Sequence, residues 1–157
     1  MEGLFDIIDV VLLNEEYVKE LVELEKICFS DPWSETMFLG DLQSEYTCYF
    51  GTFDESGFLI GYAGMWLSVD SGEITNVAVH PDYRRKGIAC ALIDNLIKIC
   101  KVNNVQFLNL EVRESNCKAI SLYNKLGFEN VGLRKNYYKN PTENAVLMTK
   151  YLFERND

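Results

Sequence analysis

The residues best suited to gripping a charged ligand lie between Ile74 and Lys98, where the chain reads ITNVAVHPDYRRKGIACALIDNLIK. An apolar, β-branched run from Ile74 to Val79 passes through His80-Pro81-Asp82-Tyr83 into Arg84-Arg85-Lys86-Gly87. A helical pattern follows at once, with Ile88, Ala89, Leu92, Ile93, Leu96, Ile99 and Cys100 recurring at spacings of three and four. That is a strand, a turn and a helix N-terminus. Such a helix start presents unpaired backbone N–H groups and the positive end of the helix dipole. A small residue at Gly87 lets a ligand approach the backbone, and three cations stand beside it. The chemistry this suits is phosphate binding. A Walker loop needs four residues between its glycines and then Gly-Lys-Ser/Thr, and a dinucleotide fingerprint needs three glycines; the stretch fits neither. A capped surface helix with solvated cations would give the same pattern.

A nucleophile is also conceivable. Cys117 follows Asn116 at the start of another helical pattern, where a thiolate could attack. No histidine lies nearby in sequence to serve as its base, because the single histidine, His80, precedes a proline in a turn. One histidine and five cysteines without a C-x-x-C spacing leave little from which to build a zinc site, so no metal is expected. The odd cysteine count reads as reduced thiols packed as small hydrophobes. A net charge of -9 argues against a nucleic-acid binder and makes the Arg84-Arg85-Lys86 island local. The remaining acidic surface would attract basic partners. No leader pattern opens the sequence and no apolar run reaches membrane length, so a cytoplasmic protein without membrane contact is expected.

The elements that must position these residues follow from pattern. At 157 residues, one domain spanning 1–157 is expected. Leu4 to Leu13 reads as a strand, and Asn14-Glu15-Glu16 caps a helix whose apolar positions run from Val18 to Cys28. Ser34 caps a second, short helix after Asp31-Pro32. Tyr46 to Phe53 and Phe58 to Ser68 form a hairpin about Asp54-Glu55-Ser56-Gly57, and Glu73 to Val79 is the strand before the cationic turn. After the central helix come a strand from Gln106 to Arg113, a helix from Ser115-Asn116 to Lys125 ended by Gly127, and strands at Phe128 to Lys135 and Asn144 to Phe153. The order β-α-α-β-β-β-α-β-α-β-β is an α+β layout with a mixed sheet. Leu108, Leu110 and Val112 share one strand face; Asn109, Glu111 and Arg113 share the other.

Arg84-x-x-Gly87-x-Ala89 resembles the acetyl-CoA pyrophosphate loop, Gln/Arg-x-x-Gly-x-Gly/Ala, of the GNAT superfamily of N-acetyltransferases. Leu110-Glu111-Val112-Arg113-x-Ser115-Asn116-x-x-Ala119-Ile120-x-Leu122-Tyr123-x-x-Leu126-Gly127-Phe128 is similar to a later segment of the same superfamily. With Asn76-Val77-Ala78-Val79, Pro32-Trp33-Ser34-Glu35 and Arg134-Lys135-Asn136-Tyr137-Tyr138, the resemblance covers nearly the whole chain. Within that superfamily it resembles the bacterial enzymes that acetylate the N-terminal alanine of a small-subunit ribosomal protein.

The resemblance implies a mostly antiparallel central sheet flanked by helices, with acetyl-CoA as acetyl donor. It further implies Glu111 as general base acting through water and Tyr123 as general acid. The backbone of Val77, Ala78 and Val79 and the turn through Arg84, Arg85, Lys86, Gly87, Ile88, Ala89 and Cys90 would hold acetyl-CoA, with Asn116 on the pantetheine arm. Trp33, Tyr137 and Tyr138 would pinch the acceptor, and Glu73 is a reserve base or an amine-orienting group. The reaction needs such groups in any case, since the attacking amine must lose a proton and the departing thiolate must gain one. A free tyrosine near 10 is a serviceable donor to a thiol near 8.5. Taken without the resemblance, Glu111 is a carboxylate on a solvated strand face and Tyr123 a core aromatic. The expected activity is acetyl transfer to a protein α-amine by direct attack in a ternary complex, with a basic ribosomal protein as partner. A lysine, polyamine or small-amine acetyltransferase, or a catalytically silent acetyl-CoA-binding module, are the rival expectations.

Overall fold

The computed structural model describes residues 8–153. In chain order the strands are β1 (Val11–Leu12), β2 (Thr47–Phe53), β3 (Leu59–Leu67), β4 (Ser71–Val79), β5 (Phe107–Arg113), β6 (Glu129–Tyr138) and β7 (Glu143–Tyr151). The helices are α1 (Val18–Cys28), α2 (Glu35–Leu42), α3 (Ile88–Val102) and α4 (Cys117–Lys125). The strands make one sheet in the order β1-β2-β3-β4-β5-β7-β6. Every neighbouring pair is antiparallel except β4 and β5. A parallel pair needs a long crossover, and α3 is that crossover. The element order and the mostly antiparallel mixed sheet match the expectation from sequence.

Local chemistry sets the boundaries. The Asp54 carboxylate accepts the N–H groups of Ser56 and Phe58 at 2.9 Å each, closing the β2–β3 turn, and Gly57 completes it at φ +84°. Ser34 caps α2 by accepting the Met37 N–H at 3.2 Å, and Asn116 caps α4 by accepting that of Ala119 at 3.2 Å. His80 has a capping role too, its Nδ1 accepting the Asp82 N–H at 3.1 Å.

Most strand ends shift by one or two residues from the sequence reading, and three differences go further. The first strand shrinks to two described residues, and the expected Leu4 to Ile7 portion lies outside the described residues. Asn14 caps a 3-10 turn at Glu15–Tyr17 that precedes α1, accepting the Glu16 N–H at 2.9 Å, so it does not cap α1 itself. The sixth strand runs on past Lys135 to Tyr138 through an irregularity between Arg134 and Tyr138, where Asn136 takes φ +54°. Asn tolerates that left-handed conformation better than most residues, and a period-two pattern does not reveal such a break.

Two apolar clusters cover the sheet. On one side Leu92, Ile93 and Leu96 of α3 are fully buried against Met65, Leu108 and Met148. On the other, Leu21 and Leu24 of α1 and Phe38 of α2 pack on Tyr49 and Tyr62. Burial of each such side chain contributes about 2 kcal/mol, so the clamp of helices holds the strand ends in fixed relation. Among the described residues, no helix is long and apolar enough to cross a membrane.

Candidate active site

The site begins where two strands part company. β4 pairs with β5 only over Ser71–Ile74 against Phe107–Leu110, although β4 continues to Val79 and β5 to Arg113. A bulge lies at the same place: Met65 pairs with Ile74 and Gly64 with Asn76, which leaves Thr75 as an extra residue. A bulge bends and twists its strand, turning the far half of β4 away from β5. Gly64 makes room for the ring of Tyr49, since a Cβ there would stand 2.6 Å from that ring. The backbone from Asn76 to Val79 is therefore open on the side facing β5, and Val77 and Val79 turn their side chains into the α3 cluster.

Just beyond β4, Arg85 (φ +65°) and Gly87 (φ +80°) turn the chain into α3. No side chain caps that helix, and no acidic residue sits in its first turn. The amides of Ile88, Ala89 and Cys90 precede the first helical bond, which joins Ala91 to Gly87 at 3.1 Å. Added at Gly87, a Cβ would meet nothing nearer than Ile8 Cδ1 at 4.0 Å. The glycine is thus favoured by its backbone angle and leaves open space above the helix start. The three cations do not act as one set. Arg84 Nε donates to the Val79 carbonyl at 3.1 Å, joined there by the Cys28 thiol at 3.5 Å, so Arg84 braces the end of β4. Lys86 lies over the Tyr83 ring at 5.2 Å, and it and Arg85 are exposed.

Where the strands separate, a cleft of about 450 Å³ is lined by Trp33, Glu73, Ile74, Thr75, Leu110, Glu111, Tyr137 and Tyr138. Residues from the α1–α2 connection, β4, β5 and the end of β6 meet here. Glu111 pairs with Arg134 Nη1 at 3.0 Å. Its carboxylate also stands beside the Tyr137 hydroxyl and, with burial, pushes that phenol above its ordinary range. Burial, with the Glu111 charge nearby, pushes Tyr138 up to about 12. Both phenols therefore remain neutral donors at physiological pH. Glu73 Oε1 accepts from Asn109 Nδ2 at 2.8 Å, and Asn109 Oδ1 accepts from Thr149 at 2.6 Å, so a polar row crosses three strands.

Tyr123 is not in the cleft lining. It is 8% exposed in the cluster under α3, edge-on to Phe128 at 5.8 Å, and burial pushes it up to about 12, above the value of a free tyrosine. It lies near enough to Tyr138 for its charged form to be felt there. Asn116 spends its Oδ1 on the α4 cap, which leaves its amide nitrogen as donor. Cys117 is an exposed free thiol outside the cleft lining. Among the described residues, no group of three or more His, Cys, Asp and Glu is arranged to hold a metal ion.

One residue with a clear local task was not singled out from sequence. Arg113 Nη2 donates to the Lys139 carbonyl at 2.9 Å, and Nη1 donates to the Pro141 carbonyl at 3.0 Å and to Glu143 at 3.2 Å. Its guanidinium lies 4.5 Å over the Tyr138 ring. It thereby fastens the β6–β7 tip that carries both cleft tyrosines. Its position on the Glu111 face of the strand was the available signal.

The chain is similar to proteins of known family and activity. The model of the acetyltransferase (GNAT) family matches residues 18–128. The ribosomal protein bS18-alanine N-acetyltransferase of Escherichia coli is 36% identical over 129 residues, covering 80% of this chain and 84% of that protein. Its counterpart in Haemophilus influenzae is 37% identical over 137 residues, covering 85% and 92%. The crystal structure of the E. coli ribosomal-protein-S18-alanine N-acetyltransferase superposes with a TM-score of 0.86 at 31% identity, covering 95% of this chain and 96% of that one. On fold and sequence together, the chain belongs to the GNAT acetyltransferase family.

Proposed function

We propose that this protein transfers acetyl from acetyl-CoA to the α-amine of an N-terminal alanine on a small-subunit ribosomal protein, in the cytoplasm. The carrying observation is the cleft at the β4–β5 parting, where Glu111 meets Trp33, Tyr137 and Tyr138. The likeness to enzymes named for that reaction supports the choice of acceptor.

The residues present suit acetyl-CoA. The uncapped, acid-free start of α3, with open space over Gly87, offers the amides of Ile88, Ala89 and Cys90 to a pyrophosphate, with Arg85 and Lys86 beside them. The edge of β4 at Val77 to Val79, unpaired with β5, offers strand-like hydrogen bonds to the pantetheine amides apart from the Val79 carbonyl, which Arg84 and Cys28 already engage, and Asn116 has its amide nitrogen left for the same arm. When bound, acetyl-CoA supplies the acetyl group as a thioester. Tyr138 presents a phenol donor to an acceptor's backbone carbonyl, while the Tyr137 ring, its hydroxyl turned to Glu111, and Trp33 limit the room for the first side chain. Glu111 receives the amine proton through water, held in place by Arg134 and Tyr137. Tyr123 delivers a proton to the departing sulfur. Its raised pKa does not disqualify it, because surroundings that disfavour a phenolate also disfavour a free thiolate.

An α-amine is favoured over a lysine by the proton to be removed. The α-amino pKa lies near 7.7–8.0 against about 10.4 for lysine, so neutral lysine costs roughly 3.5 kcal/mol more at neutral pH. A peptide beginning with Ala and carrying an internal Lys tests the proposal by mass spectrometry. Acetyl on the α-amine alone is the expected product; acetyl mainly on the lysine, or equally on both, overturns it.

A further inference from the structure

Behind the cleft lies a buried carboxylate that the proposed chemistry does not use. Glu25, in the last turn of α1, is 2% exposed. Its Oε2 accepts from the Tyr62 hydroxyl at 2.5 Å, and its Oε1 accepts the backbone N–H of Trp33 at 3.4 Å. Its own backbone carbonyl accepts the Phe29 N–H at 2.9 Å. One residue thus ties both ends of the segment from Phe29 to Trp33 that joins α1 to α2. Burying a carboxylate is costly, and an apolar residue of similar size would serve the core better if packing were the only demand.

Its surroundings give the carboxylate a reason to be there. Tyr62 stacks on Tyr49 at 6.0 Å, and Phe38 meets both rings edge-on and touches the Trp33 ring at 5.4 Å. Asn76, 8% exposed, adjoins Glu25 and Tyr62, and its Oδ1 is the buried side-chain atom left without a hydrogen-bond partner among the described residues. Asn76 also opens the exposed edge of β4. The Glu25 network therefore joins the segment that carries Trp33 to the strand that meets the donor.

We propose that Glu25 is a positioning residue of the acceptor site, its carboxylate fixing the backbone at Trp33 and so the placement of the Trp33 ring in the cleft. This rests on reading that cleft as the acceptor site. Glu25 does not touch the reacting atoms, so its removal acts on acceptor binding and leaves the donor site alone.

The test is steady-state kinetics of Glu25→Ala, Glu25→Gln and Trp33→Ala on an Ala-initiated peptide, with acetyl-CoA affinity by calorimetry and Tm for each. Misplacement of a positioning group by an ångström is a large effect, so Glu25→Ala should raise the acceptor KM about tenfold, with kcat and acetyl-CoA affinity within about twofold. Glu25→Gln keeps an oxygen for the Trp33 N–H and should recover much of that KM even if its Tm stays low. Should the Ala variant fail to fold, the Gln variant and Tyr62→Phe, which removes the second hydrogen bond alone, carry the same comparison. A parental acceptor KM in the folded Glu25 variants, or a fall in kcat and acetyl-CoA affinity that tracks lost Tm, overturns the role of Glu25. A parental KM in Trp33→Ala overturns the reading of the cleft itself, so the two failures are distinguishable.

Discussion

At the scale of single residues, the two proposed proton carriers sit in opposite environments. Glu111 lies in an open, hydrogen-bonded cleft, whereas Tyr123 is nearly buried in an apolar cluster. Tyr123→Phe removes one hydroxyl and no packing, so fold and acetyl-CoA affinity should persist while kcat falls by the roughly 10²–10⁴-fold typical of a positioned acid. Turnover within about twofold of the parent would return Tyr123 to the role of core aromatic. Glu25 makes a separate prediction about stability. Burial raises its pKa above that of an unfolded glutamate, near 4.3, so the folded state holds the proton more tightly. The stability this contributes is full below the unfolded value and is lost as pH rises through the folded one. Glu25→Gln cannot titrate, so its unfolding free energy relative to the parent should improve as pH rises through that window and then level off. Denaturant titrations at several pH values check this; a difference independent of pH would count against it.

At the scale of elements, the site depends on three places where regular structure stops: the β4 bulge, the left-handed entry to α3 and the irregular end of β6. For α3, backbone strain and ligand crowding can be separated. Asn tolerates positive φ, so Gly87→Asn should fold and yet lose acetyl-CoA affinity by about tenfold or more, because its side chain occupies the space over the helix start. Parental affinity in that folded variant would remove the donor-site assignment. For β6, Arg113→Lys keeps the charge but not the planar fork that grips Lys139, Pro141 and Glu143. The acceptor KM should rise about tenfold with acetyl-CoA affinity unchanged; an unchanged KM would leave Arg113 as mere packing. Two of these interruptions, the β4 bulge and the β6 irregularity, are also where the sequence was least legible. Alternation and helical spacing placed every strand and helix among the described residues, since both report burial of one face. They carried no information on which strands part, because pairing depends on partners distant in the chain. The Gly87 turn was readable because its signal is local, and the grip of Arg113 on a segment 26 to 30 residues away was not.

At the scale of the whole molecule, charge is divided between two substrates of opposite sign. The protein carries a net charge of -9, yet Arg85 and Lys86 stand exposed just before the start of α3, where an anionic donor is proposed to bind. The cleft presents Glu73 and Glu111, and a basic ribosomal protein segment entering it meets attraction from the rest of the surface. Attraction between exposed charges is screened beyond roughly 8 Å at physiological ionic strength, so it acts on the encounter more than on the bound complex. Raising salt should therefore lower kcat/KM for a lysine- and arginine-rich peptide by about tenfold, mainly through KM, while kcat stays level. A neutral peptide with the same first residues should lose far less, since it forms the same contacts in the cleft without the steering. Equal salt dependence for the two peptides would assign the effect to acetyl-CoA at the α3 start, and acceptor selection would then rest on the contacts of Trp33, Tyr137 and Tyr138 alone.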